Sequence, residues 1–306
     1  MRVLWSMTRY LPKVNAGAEW YAHEINKHLI SQGHEVTVML RHPCDYEIDG
    51  VKVVLHDTKL YKSCDIVFTQ LEAADRAIGD SIRFGKPVVY VAHNTFANMM
   101  VRRHHKVGVI LNSKAALNIC GYAHHERRRI VLRPPIDIDY YSVPKGDKYT
   151  LINLCDNKGP ATFYKLAQLF PNKQFLGVVG GYHRQQIQQH DNVEIMQHTT
   201  DIREAYRKTR ILLMPSRYES WGRTATEAMA SGIPVIAHPT FGLQENIGDA
   251  GLYADRAKPD QWVKAIEEIE SNYEHWSQKA LNRAKELRTD FKEFDLFLSQ
   301  MLSNGS

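Results

Sequence analysis

No apolar run in this chain approaches the roughly 18 residues that a bilayer span requires, so no helix is expected to cross a membrane. Cysteine is scarce: Cys44, Cys64, Cys120 and Cys155 are all there is. None forms a C-x-x-C pair and none falls at zinc-finger spacing, which excludes a cysteine-built metal ribbon. Met1-Arg2-Val3-Leu4-Trp5-Ser6 turns polar too early for the apolar core of a signal peptide. Reduced thiols in a cytoplasm are therefore the expectation. The chain also lacks G-x-G-x-x-G. The first strand–helix crossing, Tyr10 to Glu19, does not contain it, and Gly177-Val178-Val179-Gly180-Gly181 misses the pattern, so a dinucleotide-dependent dehydrogenase is excluded. Repeats and low-complexity tracts are missing too. With 43% apolar and 24% charged residues, the composition is that of a globular protein.

The net charge of +5 is unevenly spread. Residues 1–150 carry 21 Lys/Arg against 15 Asp/Glu, or +6; residues 151–306 carry 18 against 19, or −1. Within the first half, residues 101–133 hold eight Lys/Arg and one acid, Glu126. Such a strip is either a solvated face or a surface for a polyanion. Adjacent histidines, His104-His105 and His124-His125, point different ways and make no metal site.

Strand-like runs alternate with helical ones throughout. Arg2–Met7, Val36–Leu40, Val51–Leu55, Ile66–Thr69, Pro87–Ala92 and Val107–Leu111 read as short buried strands. Gly17–Gln32 reads as a helix stopped by Gly33. Arg133-Pro134-Pro135 ends the first half, and Pro144-Lys145-Gly146-Asp147 reads as a linker. The pattern then restarts at Thr150–Leu154 and closes in helices from Pro259 onward, broken near Ser271–Tyr273 and Thr289–Phe291. At roughly 100–200 residues per domain, two α/β domains are expected. Their bounds are read as 1–145, 146–290 and a closing helix over 291–306.

The strongest motif starts where an apolar strand ends. It runs Pro215-Ser216-Arg217-Tyr218-Glu219-Ser220-Trp221-Gly222-Arg223-Thr224-Ala225-Thr226-Glu227-Ala228-Met229-Ala230-Ser231-Gly232-Ile233-Pro234-Val235. Gly222 allows close backbone approach, and a helix beginning near Thr224 would offer free amides to a phosphate. Two carboxylates beside an anion site, Glu219 and Glu227, suit sugar hydroxyls as hydrogen-bond acceptors. This stretch resembles the E-x7-E signature of the retaining GT-B glycosyltransferases, family 4. Further segments resemble the family in order. They are Ala16-Gly17-Ala18-Glu19 with Gly33-His34-Glu35-Val36, then His93 after Val88–Ala92, Lys158-Gly159, and Phe241-Gly242-Leu243-Gln244-Glu245.

The resemblance implies an α/β GT-B fold. Two Rossmann-like domains with parallel sheets would face a cleft, and the last helix would cross back to the first domain. It implies a retaining, metal-independent hexosyl transfer from a nucleotide diphosphate sugar, UDP favoured and GDP next. Glu219 would orient the donor sugar and His93 would line its pocket. Gly17, Lys158, Ser220, Trp221, Gly222, Arg223, Thr224 and Glu227 would bind the donor, Glu227 through the ribose. One departure stands out. Where the family often has an arginine, five residues before Lys158, this chain has Asn153. Arg223 is expected to supply the missing cation. Asp137-Ile138-Asp139 matches D-x-D formally but belongs to the linker turn, and no metal or other cofactor is expected.

The acceptor stays open. A glycan or lipid-linked glycan is the first reading, with Arg102, Arg103, Lys106, Arg127, Arg128 and Arg129 touching anionic groups or a membrane surface. A small molecule or protein is a second. A nucleic-acid acceptor, such as a modified base of viral DNA, is a third. A different class altogether is a non-catalytic GT-B relative that binds a polyanion.

Overall fold

A computed structural model of the chain describes residues 1–96, 104–120 and 128–303. The chain divides into two compact units, Met1–Pro135 with Thr289–Ser306, and Ile136–Arg288.

The first unit runs β1 (Arg2–Ser6), α1 (Gly17–Ser31), β2 (Glu35–Leu40), β3 (Asp45–Ile48), β4 (Val51–Leu55), α2 (Leu60–Ser63), β5 (Ile66–Gln70), α3 (Ala74–Arg83), β6 (Val88–Ala92), β7 (Val107–Leu111), α4 (Lys114–Cys120) and β8 (Arg129–Val131). Among the described residues its sheet has the order β3-β4-β2-β1-β5-β6-β7-β8, parallel except for the β3–β4 pair. Strands β5, β6 and β7 are buried along their whole length. Their uninterrupted Val/Ile runs are what a parallel strand covered on both faces requires. Helix α1 presents Tyr21, Ile25 and Leu29 to the core at helical spacing.

The second unit runs α5 (Ile138–Tyr141), β9 (Lys148–Ile152), α6 (Pro160–Leu169), β10 (Phe175–Val178), β11 (Val193–Met196), α7 (Arg203–Tyr206), β12 (Thr209–Met214), α8 (Arg223–Ala230), β13 (Val235–Ala237), α9 (Phe241–Ile247), β14 (Leu252–Tyr253), α10 (Pro259–Ser271) and α11 (Tyr273–Glu286). Its described strands form a parallel sheet in the order β11-β10-β9-β12-β13-β14. The chain then returns to the first unit as α12 (Lys292–Ser303), where Phe294, Phe297, Leu298 and Met301 pack with Trp5, Phe68 and Ile110.

The passage between units comes earlier than the 145/146 boundary read from the sequence. Ile136, Ile138 and Tyr141 pack with Tyr206, Met229 and Ile233, so the segment belongs to the second core. The formal D-x-D match has its own explanation here. Asp137 Oδ1 accepts the amides of Asp139 (3.1 Å) and Tyr140 (3.0 Å), which makes it the N-cap of α5. Elements absent from the sequence reading are the β3 hairpin strand, α2, α3, α5, β14 and the helical form of 241–247. Among the described residues no helix is long and apolar enough to cross a membrane.

Candidate active site

In a parallel sheet all strands end on the same edge, and the loops leaving that edge carry the candidate residues of the second unit. Strand β12 ends at Met214, and the loop 215–222 leads into α8. Asn157 donates through Nδ2 to the Tyr218 carbonyl (3.1 Å), and the Gly242 amide donates to the Glu219 carbonyl (3.2 Å). Gly242 must lie flat on this loop: a Cβ there would come within 2.2 Å of the Ser220 carbonyl carbon. Gly222 takes φ of 82° as the N-cap of α8 and has no side chain with which to cap that helix. The buried Asn246 instead holds the Trp221 and Gly222 carbonyls, at 3.1 and 3.0 Å. The start of α8 is thus fixed from behind, and its N-cap residue brings no side chain to the first-turn amides, which suits an anion-binding end.

Lys158 follows β9 and meets this loop. Its ammonium donates to Oε1 of Glu219, which also accepts from Ser216 Oγ at 2.9 Å. Among the described residues the second oxygen of Glu219 takes no hydrogen bond. The two side chains are 18% and 11% exposed, so their charges are little screened. Burial disfavours the charge on Lys158, but the Glu219 carboxylate outweighs it and holds the ammonium above the ordinary lysine range. One N–H of three is committed to Glu219, leaving Lys158 capacity for a phosphate. Lys158, Met214, Ser216 and Thr224 line a small cavity at the ends of β9 and β12.

Glu227 sits one turn inside α8 and is buried. Its Oε1 accepts from Arg223 Nε at 2.6 Å and its Oε2 from the Tyr206 hydroxyl at 2.7 Å. Arg223, expected from sequence to replace a cation at 153, pairs here with Glu227. Its guanidinium turns along the helix onto Glu227 and toward the Tyr141 hydroxyl, 3.4 Å from Nη2. Asn153 also has a local explanation. It directly follows β9 at φ of 70°, and its Oδ1 accepts the Cys155 amide (3.2 Å) and Gln185 Nε2 (3.0 Å). Asparagine suits a left-handed turn that an arginine would strain.

In the first unit, His93 follows β6 and Gln70 ends β5, strands that are neighbours. His93 Nε2 lies 2.7 Å from Gln70 Oε1, and Gln70 Nε2 donates to the Ala18 carbonyl (3.2 Å) in the first turn of α1. Burial pushes the His93 pKa down to about 4, so the imidazole is neutral near pH 7. Neutral His93 with Nε2–H donating to Gln70 satisfies this bond. Gly17 opens α1 with no side-chain cap, and a Cβ there would meet nothing within 4 Å. Gln70 was not picked out from sequence, where this strand is read as ending at Thr69; the structure extends it by one residue. Tyr206, Tyr141 and Asn246 were missed for a similar reason, since their partners lie far off in sequence.

The described part of the basic strip does not join these residues. Arg102, Arg103 and Arg127 lie outside the described residues. Lys106 immediately precedes β7, Arg128 precedes β8, and Arg129 is the first residue of β8. With β6, β7 and β8 parallel, these three sit at the opposite edge of the sheet from His93 and Gln70. Lys106 Nζ is bound to the Gly85 carbonyl at 3.1 Å. The described part of the strip is therefore separate from the strand ends of its own unit where a ligand would sit.

Comparison with known proteins agrees with this geometry. The fold is GT-B. Anabaena HepE in complex with UDP-glucose superposes with a TM-score of 0.79 at 18% identity, covering 99% of each chain. WaaG, a glycosyltransferase involved in lipopolysaccharide biosynthesis, gives 0.69 at 15% identity, over 92% of this chain and 95% of that one. A D-inositol 3-phosphate glycosyltransferase of Corynebacterium kroppenstedtii is 38% identical over 71 residues, 22% of this chain. That stretch spans only 16% of the relative's length. The second unit, which holds Lys158, Glu219 and Glu227, carries the family likeness: residues 149–287 match the family described as glycosyl transferases group 1.

Proposed function

We propose that this protein is a retaining, hexosyl-type glycosyltransferase that uses a nucleotide diphosphate sugar, UDP favoured and GDP next, and needs no divalent metal. One observation carries the reading. Among the described residues Glu219 has one oxygen fixed by Lys158 and Ser216 and the other left to accept, beside the glycine N-cap of α8. A carboxylate held in this way orients sugar hydroxyls, while the ammonium and helix end beside it receive phosphate charge. The UDP-glucose bound by HepE supports the donor class.

The chemistry follows from the charges. The bond between the anomeric carbon and the phosphate oxygen breaks, and its electron pair leaves with the diphosphate. Lys158 and the first-turn amides of α8 stabilise that growing charge. The acceptor oxygen bonds to the anomeric carbon from the same face, and its proton passes to the leaving phosphate. Ser220, Trp221, Gly222 and Thr224 frame the helix start, and Glu227 receives the ribose. From the first unit the family resemblance assigns Gly17 to the phosphate and His93 to the sugar.

The acceptor we favour is a glycan or lipid-linked glycan hydroxyl. The placement of Lys106, Arg128 and Arg129 away from the strand ends removes the main reason for a nucleic-acid acceptor. These three described residues fit contact with an anionic surface better than contact with the reacting hydroxyl.

A thermal-shift series with UDP- and GDP-sugars in EDTA tests the proposal, since a ligand that binds only the native state raises the apparent Tm. Stabilisation by one donor, followed by its slow hydrolysis or transfer without added metal, is the expected result. No shift by any donor, with or without magnesium, would overturn it in favour of a non-catalytic polyanion-binding relative.

A further inference from the structure

Arg223 occupies an unfavourable place. As the first residue of α8 it sets a cation at the positive end of the helix dipole, only 9% exposed. Its partner Glu227 lies four residues toward the C-terminus, which is the weaker order for a helical ion pair. Neither local propensity nor solvent contact explains this choice. What the arginine does is supply the countercharge that a carboxylate 4% exposed needs on leaving water. The Tyr206 hydroxyl completes the arrangement from α7, at 2.7 Å on the other oxygen. Arg223 is itself steadied by Tyr141 on α5, with the guanidinium carbon 5.9 Å from the ring centroid and Nη2 3.4 Å from the hydroxyl.

The consequence for Glu227 is geometric. One donor lies on each oxygen, so the carboxylate plane is fixed and each oxygen keeps a lone pair for another hydrogen. Two such acceptors on one carboxylate match two vicinal hydroxyls. Among the described residues, the charged and titratable groups that face this carboxylate are Arg223 on its own helix, Tyr206 on α7 and Tyr141 on α5. Burial, followed by the Glu227 charge, keeps the Tyr206 phenol neutral.

We propose that Arg223 and Tyr206 are positioning residues that hold Glu227 oriented to read the ribose cis-diol of the donor nucleotide. They would make the second unit selective for ribonucleotides over deoxyribonucleotides without touching the nucleotide themselves. This rests on the proposed nucleotide-sugar donor and extends that reading from the carboxylate to its support.

The test is calorimetric binding of UDP and GDP, each beside its 2′-deoxy and 3′-deoxy counterpart, to the full chain. Wild type is expected to bind a ribonucleotide at least tenfold more tightly than either deoxy form. Arg223→Met should weaken ribonucleotide binding about tenfold to a hundredfold, leave deoxynucleotide binding nearly unchanged, and so erase the preference. Tyr206→Phe removes one hydroxyl from a packed ring and should narrow the preference severalfold with the fold intact. Turnover should show the same split, with the donor KM raised and kcat little changed. A wild type that binds no nucleotide sinks the donor reading itself. A wild type that binds them but ignores the deoxy change, or variants that keep both affinity and preference, would overturn the positioning role alone.

Discussion

The strand-end loops of the two units are built from different materials. In the second unit the candidate groups are ions in pairs, Lys158 with Glu219 and Arg223 with Glu227. In the first they are neutral and linked by ordinary hydrogen bonds, His93 to Gln70 and Gln70 to the start of α1. Both sets hang on the same kind of scaffold, a parallel sheet with buried central strands. The sheet therefore supplies position and the loops supply chemistry. Under the proposed function, paired ions suit the unit that would meet a diphosphate, whose charge grows during reaction. Neutral donors suit the unit that would meet a sugar, where a fixed charge would only add desolvation cost.

The sharpest way to break this comparison is Lys158→Ala. It removes the cation and leaves Glu219 partly buried with Ser216 as its remaining described partner. Loss of a group aimed at developing charge costs about a hundredfold to a thousandfold in kcat/KM, and an uncompensated buried carboxylate adds a stability loss of about 3 kcal/mol. Glu219→Gln in the same background should recover stability but not rate. Steady-state kinetics with urea melts separate the two. If Lys158→Ala kept its rate within tenfold, the charge contrast between the units would lose its meaning.

The first unit's neutrality can be tested by pH. His93 has a folded pKa near 4 against an ordinary 6.5, because burial penalises the imidazolium. As pH falls below 6.5 the unfolded chain takes up this proton before the folded one does. The stability contributed by the neutral ring is full above pH 6.5 and is lost as pH drops toward about 4. At the limit this amounts to roughly 3 kcal/mol. Urea melts of wild type and His93→Gln at pH 7.5 and pH 5 give the difference, in which the other histidines cancel. Wild type should lose more stability on acidification than the variant. Equal slopes would mean that the ring is charged or solvated in the native state.

Much of the second unit was legible because its motif is local. Pro215 to Val235 holds the strand end, loop, helix and both carboxylates within one continuous stretch, and residues far away only hold it in place. The alternation of β9, α6, β10 and β12 was equally plain, since parallel strands read as unbroken apolar runs. What the sequence did not disclose were contacts across it. Tyr206 meets Glu227 from 21 residues away, and Gln70 meets His93 from 23. Residues 45–53 held a usable hairpin signal, Asp49-Gly50, with φ of 49° and 78° in the structure, that went unread. Helix α3 was obscured by Gly79 and by acidic and basic residues on its outer face. Charge counts along a chain do not tell which end of a parallel strand a residue occupies, so the sequence left Lys106, Arg128 and Arg129 unplaced.

Asn153 offers the smallest effect and the finest discrimination. Read in the sequence, it is a gap where a phosphate-binding cation should be. In the structure it is a turn residue whose side chain ties the end of β9 to Gln185 and to the Cys155 amide. Asn153→Ala should therefore cost about 1–2 kcal/mol of stability, from the left-handed backbone and the lost acceptor. For a unit of this size that is a Tm decrease of a few degrees, about 2–4 °C per kcal/mol. Nucleotide affinity at a temperature where both proteins are folded should stay within twofold of wild type. Asn153→Gly, which keeps the backbone freedom and loses only the side chain, should fall between the two. Unchanged stability together with altered nucleotide affinity would return Asn153 to the diphosphate site and blur the division between paired ions and neutral supports.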